Sequence, residues 1–356
     1  DNMLQAEFFT GAPKHTLLLG ADYQRRKADV AWRYGTVDPL DAGNPQYGNG
    51  NLQVLGENRY QRRLQQTGVY LQDLVELDQW RFSLGLRQDW VKVSEENRDS
   101  NTKVSDQRSR FTTRAGVLYL FENGIAPYVS YSESFNPNTV SDQQGRPLAP
   151  TEGTQWEAGI KYQPPGSDNL FTASVFRIEQ ENLASKQPDE DFYRPVGQVR
   201  SQGLELEAHV QLTDSLKLLG GYTFTDIEYA KSMPSLVSGN LDNKGNSPTQ
   251  APKQMFSLWA DYNFHQGALD GLRLGGGVRY VGYSWVDAEN SMKVPSYTLF
   301  DASIGYDLGK VGLRGMDVRL NANNLTNESY ITSCASLNYC YMGEERNVSA
   351  TVSYQF

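Results

Sequence analysis

The sequence lacks any long apolar run, and the residues that it uses sparingly exclude several further classes of protein. No segment approaches the roughly 18 apolar residues of a membrane-spanning helix, which excludes a helical membrane protein. The histidines His15, His209 and His265 are scattered without the spacing of metal ligands. The formal net charge of -9 argues against nucleic-acid binding, which needs clustered Lys and Arg. No Gly-x-Ser-x-Gly segment occurs and the sequence places no nucleophile beside a histidine, so an enzyme is not predicted.

The last ten residues, 347–356, alternate polar and apolar side chains without interruption. Val348, Ala350, Val352, Tyr354 and Phe356 fall on one face, and polar residues lie between them. Successive side chains of a strand point to opposite faces, so this segment needs an apolar medium on one side and a polar medium on the other. A water-soluble sandwich and a membrane barrel both provide these two media.

The same alternation recurs along the chain, for example in residues 199–212, 255–264 and 299–308. Carboxylates such as Glu205 and Glu207 fall in mid-strand, where hydrocarbon would penalise them. The polar face is therefore predicted to line a wet lumen or a buried plug. Aromatic residues make up 12% of the chain, which is enough to build girdles at both membrane interfaces.

Short and long connections alternate between the predicted strands. Short turns rich in Gly, Pro and Asp are predicted at residues 11–14, 76–79, 122–124, 164–169, 213–215, 265–271 and 309–316. Longer polar segments are predicted at residues 28–57, 98–107, 136–152, 183–195, 230–251, 286–295 and 327–345. Tight periplasmic turns and extended outer loops are typical of outer-membrane barrels, whereas a soluble sandwich has no reason to sort its connections by length. We therefore predict an all-β protein, a transmembrane antiparallel β-barrel, and this chain is predicted to supply about 15 of its strands.

The predicted strand directions make the strand number odd, because the first and the last strand both run from the long-loop rim to the short-turn rim. Single-chain bacterial barrels have an even number of strands, with both ends at the periplasm. Strands are therefore expected to be missing upstream. The first residues, Asp1 to Leu4, also lack the charged and apolar regions of a signal peptide, so we expect a fragment or a processed product.

The two cysteines, Cys334 and Cys340, are spaced to close a small loop by a disulfide, which indicates an oxidising compartment. A pair of unrelated buried thiols in a reducing compartment is the alternative.

Several segments occur in an order and with spacings that point to a known family: Gln66-Thr-Gly-Val-Tyr-Leu-Gln-Asp73, Gly85-Leu-Arg-Gln-Asp89, Pro127-Tyr-Val-Ser-Tyr-Ser-Glu-Ser-Phe135, Glu157-Ala-Gly-Ile-Lys161, Gly203-Leu-Glu-Leu-Glu207, Ser257-Leu-Trp-Ala-Asp-Tyr262, Val294-Pro-Ser-Tyr-Thr-Leu-Phe-Asp-Ala302, Asn323-Asn-Leu-Thr-Asn-Glu-Ser-Tyr330 and Tyr354-Gln-Phe356. In these segments the chain resembles the C-terminal portion of TonB-dependent outer-membrane receptors, in the hydroxamate-siderophore (ferrichrome-type) branch, over essentially all of its length. The branch is indicated by Ser333-Cys-Ala-Ser-Leu-Asn-Tyr-Cys340 followed by Gly343-Glu-Glu-Arg346, which is similar to the disulfide-closed last loop of ferrichrome-type receptors.

This resemblance implies that residues 1–356 are the C-terminal part of the β-barrel domain. They would form about the last 15 of 22 strands, with the first barrel strands and the N-terminal plug domain absent from this chain. The intact protein would be a multi-pass monomer of the bacterial outer membrane, in contact with lipid and lipopolysaccharide. It would bind a ferric hydroxamate siderophore in its outer vestibule, and its missing N-terminal region would contact TonB. Iron would be carried as ferric siderophore, without a cofactor or protein metal ligands.

The resemblance also implies candidate ligand-binding residues. It places Tyr34 at the position of a siderophore-contacting aromatic, just past the strand that opens the first long loop, with Trp32 two residues earlier on the same face. A second family contact is the aromatic after the first loop cysteine, and this sequence has Ala335 there. Tyr339 and Tyr341, which flank Cys340, are candidates to replace it. The alternative is that these aromatic residues only pack in loops or girdles.

The long segments carry an excess of Asp and Glu over Lys and Arg. This disfavours a trianionic catecholate complex and favours a neutral or cationic ferric hydroxamate. Two other functions remain open from the sequence: import of another scarce solute (another siderophore, haem or cobalamin), and a passive porin without a plug.

Overall fold

One antiparallel sheet dominates the computed structural model, which describes residues 1–41, 43–48, 50–185, 192–231 and 243–356. Within this described part the sheet has 15 strands that follow one another across the sheet in chain order, which confirms the predicted class and strand number. In spatial order the strands are β1 (Asn2–Phe9), β2 (Lys14–Thr36), β3 (Gln53–Leu77), β4 (Trp80–Asn97), β5 (Thr102–Tyr119), β6 (Ile125–Asn136), β7 (Thr151–Tyr162), β8 (Leu170–Ser185), β9 (Arg194–Gln211), β10 (Leu216–Lys231), β11 (Gln254–Asn263), β12 (Leu272–Val281), β15 (Tyr297–Asp307), β16 (Met316–Asn323) and β19 (Asn347–Tyr354). Two hairpins lie in the outer loops, formed by β13 (Ser284–Trp285) with β14 (Lys293–Val294), and by β17 (Ile331–Ser336) with β18 (Tyr339–Met342).

Short and long connections alternate as predicted, with one exception. Strands β4 and β5 meet through residues 98–101 alone, because Asn97 already pairs with Thr102. The prediction of a long loop at 98–107 was therefore wrong. Parts of the predicted loops 183–195 and 230–251 lie outside the described residues.

The first predicted long loop, 28–57, was also drawn too wide, because β2 continues to Thr36 and β3 begins at Gln53. Charged side chains in these strand ends pair across the sheet. The Arg33 Nε lies 3.1 Å from the Glu57 Oε2, and the Arg59 Nε lies 2.7 Å from the Asp99 Oδ1. Polar residues can extend a strand where both of its faces meet water, and cross-strand ion pairs support that pairing.

From β10 to β19 the register places most apolar residues of one face opposite apolar residues of the neighbouring strand. On β16 and β19, Val318 pairs with Val352 and Leu320 pairs with Ala350, while polar residues pair on the other face. Val352 is 63% exposed, and Val348 and Phe356 are exposed as well, so no second sheet formed by the described residues covers this face. The soluble-sandwich alternative is therefore wrong, and the apolar face must meet another apolar medium.

Aromatic residues border the apolar face. At the short-turn rim the rings of Trp80, Phe82, Tyr119 and Phe121 contact one another, with centroids 4.6–5.8 Å apart. Trp90 lies on the same face of β4, ten residues after Trp80. At about 3.3 Å per residue and a strand tilt of roughly 40°, the two indoles are about 25 Å apart along the membrane normal, which is the height of a barrel's apolar band.

Among the described residues, two small clusters of buried apolar side chains lie toward the outer rim of the sheet. One contains Leu64, Val91 and Val93, with Phe135 packed against it. The other lies between two outer loops and contains Val286, Val294 and Cys334. In the described residues, no helix has the length and apolar character needed to cross a membrane.

Candidate functional site

Trp32 and Tyr34 lie on one face of β2, with ring centroids 5.4 Å apart. The sequence predicted Tyr34 just past the end of its strand. In the structure Tyr34 still lies within β2, where it pairs with Gly56 of β3. The strand continues because Gly56 leaves room for the Tyr34 ring, whose carbon atoms would lie 2.6–2.8 Å from a Cβ at that glycine. The face that carries both rings also carries Asp22, so it is the polar, inner face of the sheet.

A groove of about 660 Å³ lies on this inner face, at the outer ends of β2 to β5. Its volume is within the range of small-molecule sites in proteins. The lining residues are Val30, Trp32, Tyr60, Arg62, Glu95, Asn97, Thr102, Val104, Ser141, Asp142, Gln143, Gln144, Gly145, Phe192 and Tyr193. Aromatic rings, amides, the oppositely charged Arg62 and Glu95, and the Asp142 carboxylate therefore meet in a single concave surface.

The floor of the groove contains an ion pair above an apolar layer. The Arg62 Nε donates to the Glu95 Oε2 at 2.6 Å, and these side chains are 26% and 12% exposed. The next inner-face pair along the same two strands is Leu64 with Val93, both buried. The charges thus mark the boundary between the open groove and a dry layer beneath it.

The roof comes from two loops that are bonded to each other. The backbone N–H of Tyr193 donates to the Ser141 carbonyl at 3.1 Å. Within the loop after β6, Arg146 lies 2.8 Å from Asp142. Partial burial raises the pKa of the Asp142 carboxyl, but hydrogen bonds from the backbone N–H and the guanidinium of Arg146 outweigh burial and hold that pKa below its usual range.

The last outer loop carries the remaining predicted residues, and it lies apart from the groove in the sheet order. The predicted disulfide between Cys334 and Cys340 is confirmed. Cys334 is 1% exposed and packs against Val286 and Val294 of the preceding loop. Ala335, Tyr339 and Tyr341 are exposed on the β17–β18 hairpin. The sequence-predicted site is therefore divided between strand β2 and this hairpin, and a ligand role for its members stays a prediction.

Three neighbouring outer loops are locked together. Asn290 exchanges two 2.8 Å hydrogen bonds with the backbone of Ser247. Asn324, which is 2% exposed, donates to the carbonyls of Glu328 and Glu344 at 2.8 and 3.1 Å. Asn324 is buried and Asn290 is half-buried, and both side-chain amides supply hydrogen-bond partners to loop backbone. The hairpin with the disulfide is thus fixed relative to the sheet.

The inner face below the groove is rich in paired charges. Arg87 lies 2.7 Å from both Asp22 and Asp89. Tyr128 donates to Glu157 at 2.6 Å. Among the described residues no group of three or more His, Cys, Asp or Glu side chains is placed to hold a metal ion.

Sequence reasoning missed the residues that complete the groove: Tyr60, Arg62, Glu95, Phe192 and Tyr193. Two of them could be recognised once the β2–β3 register is known, because Tyr60 and Arg62 then fall on the same face of the sheet as Trp32. The roof residues give no such signal, since they reach the groove through loop contacts.

The family profile described as "TonB dependent receptor-like, beta-barrel" matches residues 1–325. The chain is 44% identical over 356 residues to the "Ferrioxamine B receptor" of Salmonella typhimurium, covering 100% of this chain and 50% of that protein. It is 40% identical over 365 residues to the "Ferrichrome outer membrane transporter/phage receptor" of Escherichia coli, covering 100% of this chain and 48% of that protein. The crystal structure of the siderophore receptor PiuA from Acinetobacter baumannii superposes with a TM-score of 0.81 at 26% identity, over 99% of this chain and 55% of that chain.

The chain spans about half the length of the curated relatives that it matches. The outward apolar face, the aromatic girdles and the sorted loops agree with a barrel in the bacterial outer membrane. The chain belongs to the TonB-dependent receptor β-barrel family of the outer membrane.

Proposed function

We propose that this chain is the barrel part of a TonB-dependent receptor that binds a ferric hydroxamate siderophore at the cell surface and imports it. The observation that carries the proposal is the aromatic-walled groove on the inner face of the sheet, at the outer-rim ends of β2 to β5. Two relatives at 40% and 44% identity are named for ferrichrome and ferrioxamine B.

The chemistry of the groove suits such a ligand. Aromatic walls contact the apolar backbone of a hydroxamate chelate, while amides and the Arg62–Glu95 pair meet its oxygens. The charges on the floor compensate each other, so a neutral or cationic complex enters without like-charge repulsion. The iron stays inside the siderophore, so the protein needs neither metal ligands nor a cofactor, and it acts as a transport receptor and not as an enzyme.

Import requires a plug that opens under energy from TonB. The paired charges of the lower inner face, including Arg87 and Asp89, offer hydrogen bonds to such a plug. In this proposal the protein is a monomer surrounded by lipid and lipopolysaccharide, and a segment outside residues 1–356 contacts TonB.

Equilibrium binding to the purified full-length protein tests the proposal. Ferric hydroxamates are expected to bind well below micromolar, and a ferric catecholate, haem and cobalamin far more weakly. Tight binding of haem or cobalamin together with failure of a broad hydroxamate panel would refute the substrate class. Uptake that persists in cells without TonB would instead indicate a passive porin.

A further inference from the structure

We propose that Arg62 is the groove residue that recognises the hydroxamate oxygens of the ligand, and that Glu95 is its positioning residue. This inference rests on the proposed function and names the side chain that gives the groove its selectivity.

Arg62 is placed on the groove floor by its strand. It lies on the inner face of β3, directly opposite Glu95 on β4, and both side chains line the groove together with Trp32. The bond from the Arg62 Nε to the Glu95 Oε2 is 2.6 Å long. Such a charge-assisted bond fixes the plane of the guanidinium.

The apolar layer below decides which way the guanidinium points. Leu64 and Val93, the next inner-face pair, are 7% exposed each, and Phe135 packs against them. A charge turned toward this layer would lose its hydration. The guanidinium therefore stays level with the Tyr60 ring, whose centroid lies 5.8 Å from its Cζ atom, and faces the groove.

The donors that Arg62 presents match the ligand. A ferric hydroxamate exposes carbonyl and N–O oxygens around the iron, which accept hydrogen bonds and donate none. Within the described residues the Nε–H of Arg62 is used by Glu95, and the N–H groups of its two terminal nitrogens remain for a ligand. A planar guanidinium can reach two such oxygens at once, which an ammonium cannot do with the same geometry.

The experiment measures equilibrium binding of a radioactive ferric hydroxamate to the full-length protein, to four single variants and to one double variant. Arg62→Met is expected to weaken binding about tenfold to a hundredfold, as for loss of hydrogen bonds from a charged donor. Arg62→Lys is expected to fall between that variant and the native protein. Arg59→Met is the matched control, because Arg59 lies three residues earlier on the opposite face of β3 and has its own ion pair with Asp99 at 2.7 Å.

Glu95→Gln tests the positioning role. It is expected to weaken binding in the native background and to have no further effect when combined with Arg62→Met. Equal losses in both backgrounds would show that Glu95 does not act through Arg62.

The outcomes separate this inference from the function on which it rests. If the native protein binds no ferric hydroxamate, the proposed function fails. If the native protein binds and Arg62→Met binds as tightly as Arg59→Met, the function stands and the role of Arg62 is overturned. Heat-modifiable migration in gels confirms that each variant is folded, and Arg62→Lys supplies the answer if Arg62→Met does not fold.

Discussion

The indole ring of Trp259 lies across Gly277 on the neighbouring strand, so closely that a Cβ atom at that glycine would come within 2.4 Å of the ring. Gly275 passes under the other end of the ring, where a Cβ would lie 2.6 Å away. The indole Nε1 donates to the Asp261 Oδ2 at 2.8 Å. The ring is thus held flat against the inner wall, and the two glycines provide the space that it needs.

Gly277→Ala is expected to destabilise the protein by about 1–3 kcal/mol, because the methyl group would push the ring off the wall. Gly276→Ala is the control, since its Cβ would point to the other face and come no closer than 4.0 Å to another atom. Urea unfolding in lipid vesicles measures both. Equal costs for the two substitutions would contradict the packing described here.

Val352→Arg is expected to cost about 2–4 kcal/mol in lipid if the residue lies near the bilayer midplane, because an outward guanidinium would enter hydrocarbon. Val352 pairs with Val318 on the apolar face. Ser349→Arg, on the polar face of the same strand, is expected to cost clearly less. A neutral Val352→Arg in the vesicle assay would mean that the two faces have been assigned the wrong way round.

Tyr34→Ala is expected to weaken ferric hydroxamate binding by about 1–3 kcal/mol, the range for a contacting aromatic residue. Its ring lies beside that of Trp32 on the inner face, with the two ring planes tilted by 37°. Tyr23→Ala removes an aromatic ring from the opposite face of the same strand and is expected to leave affinity unchanged. An unaltered dissociation constant for Tyr34→Ala would remove that residue from the site.

Cys334→Ser and Cys340→Ser both break the disulfide, and each is expected to loosen the hairpin by about 2 kcal/mol under the chain-entropy model. Cys334→Ser is expected to cost about 1–3 kcal/mol more, because it also buries a hydroxyl between Val286 and Val294. Hydrogen exchange of the loop amides measures the difference. Identical exchange in the two variants would show that Cys334 contributes only its covalent bond.

Acid is expected to loosen the groove roof. The lowered pKa of Asp142 stabilises the loop at pH values above the ordinary carboxyl pKa, and this stabilisation is lost as the pH falls through the lowered folded-state value. Loop amides are therefore expected to lose protection below about pH 4. Asp142→Asn should remove this pH dependence, and an unchanged profile in that variant would assign it to another group.

Local alternation was enough to predict the sheet, because each strand separates an apolar medium from a polar one. Residues 299–308 and 347–356 show this in the register of Ile304 with Leu320 and of Leu320 with Ala350. Alternation does not predict a strand whose two faces both meet water, because such a strand is polar on both sides. Residues 98–107 look like a loop because they are polar, yet β5 begins at Thr102.

The candidate site was harder to predict, because it depends on contacts between distant parts of the chain. Trp32 and Tyr34 are candidates by resemblance, and the prediction that they lie on one face of the strand is confirmed. The Arg62–Glu95 pair joins residues 33 positions apart, and the bond from Tyr193 to Ser141 joins two separate loops. Such contacts follow from strand register and loop packing, which a single sequence does not display.

The long hairpins of β2 to β5 place the proposed recognition groove beyond the aromatic girdle at the outer rim. Glu95 lies five residues beyond Trp90 on β4, which corresponds to about 13 Å of height above the outer girdle at the tilt used above. At that level the groove opens on the inner face of the sheet. The ligand proposed above would therefore be selected above the outer girdle, before it reaches the level of the membrane.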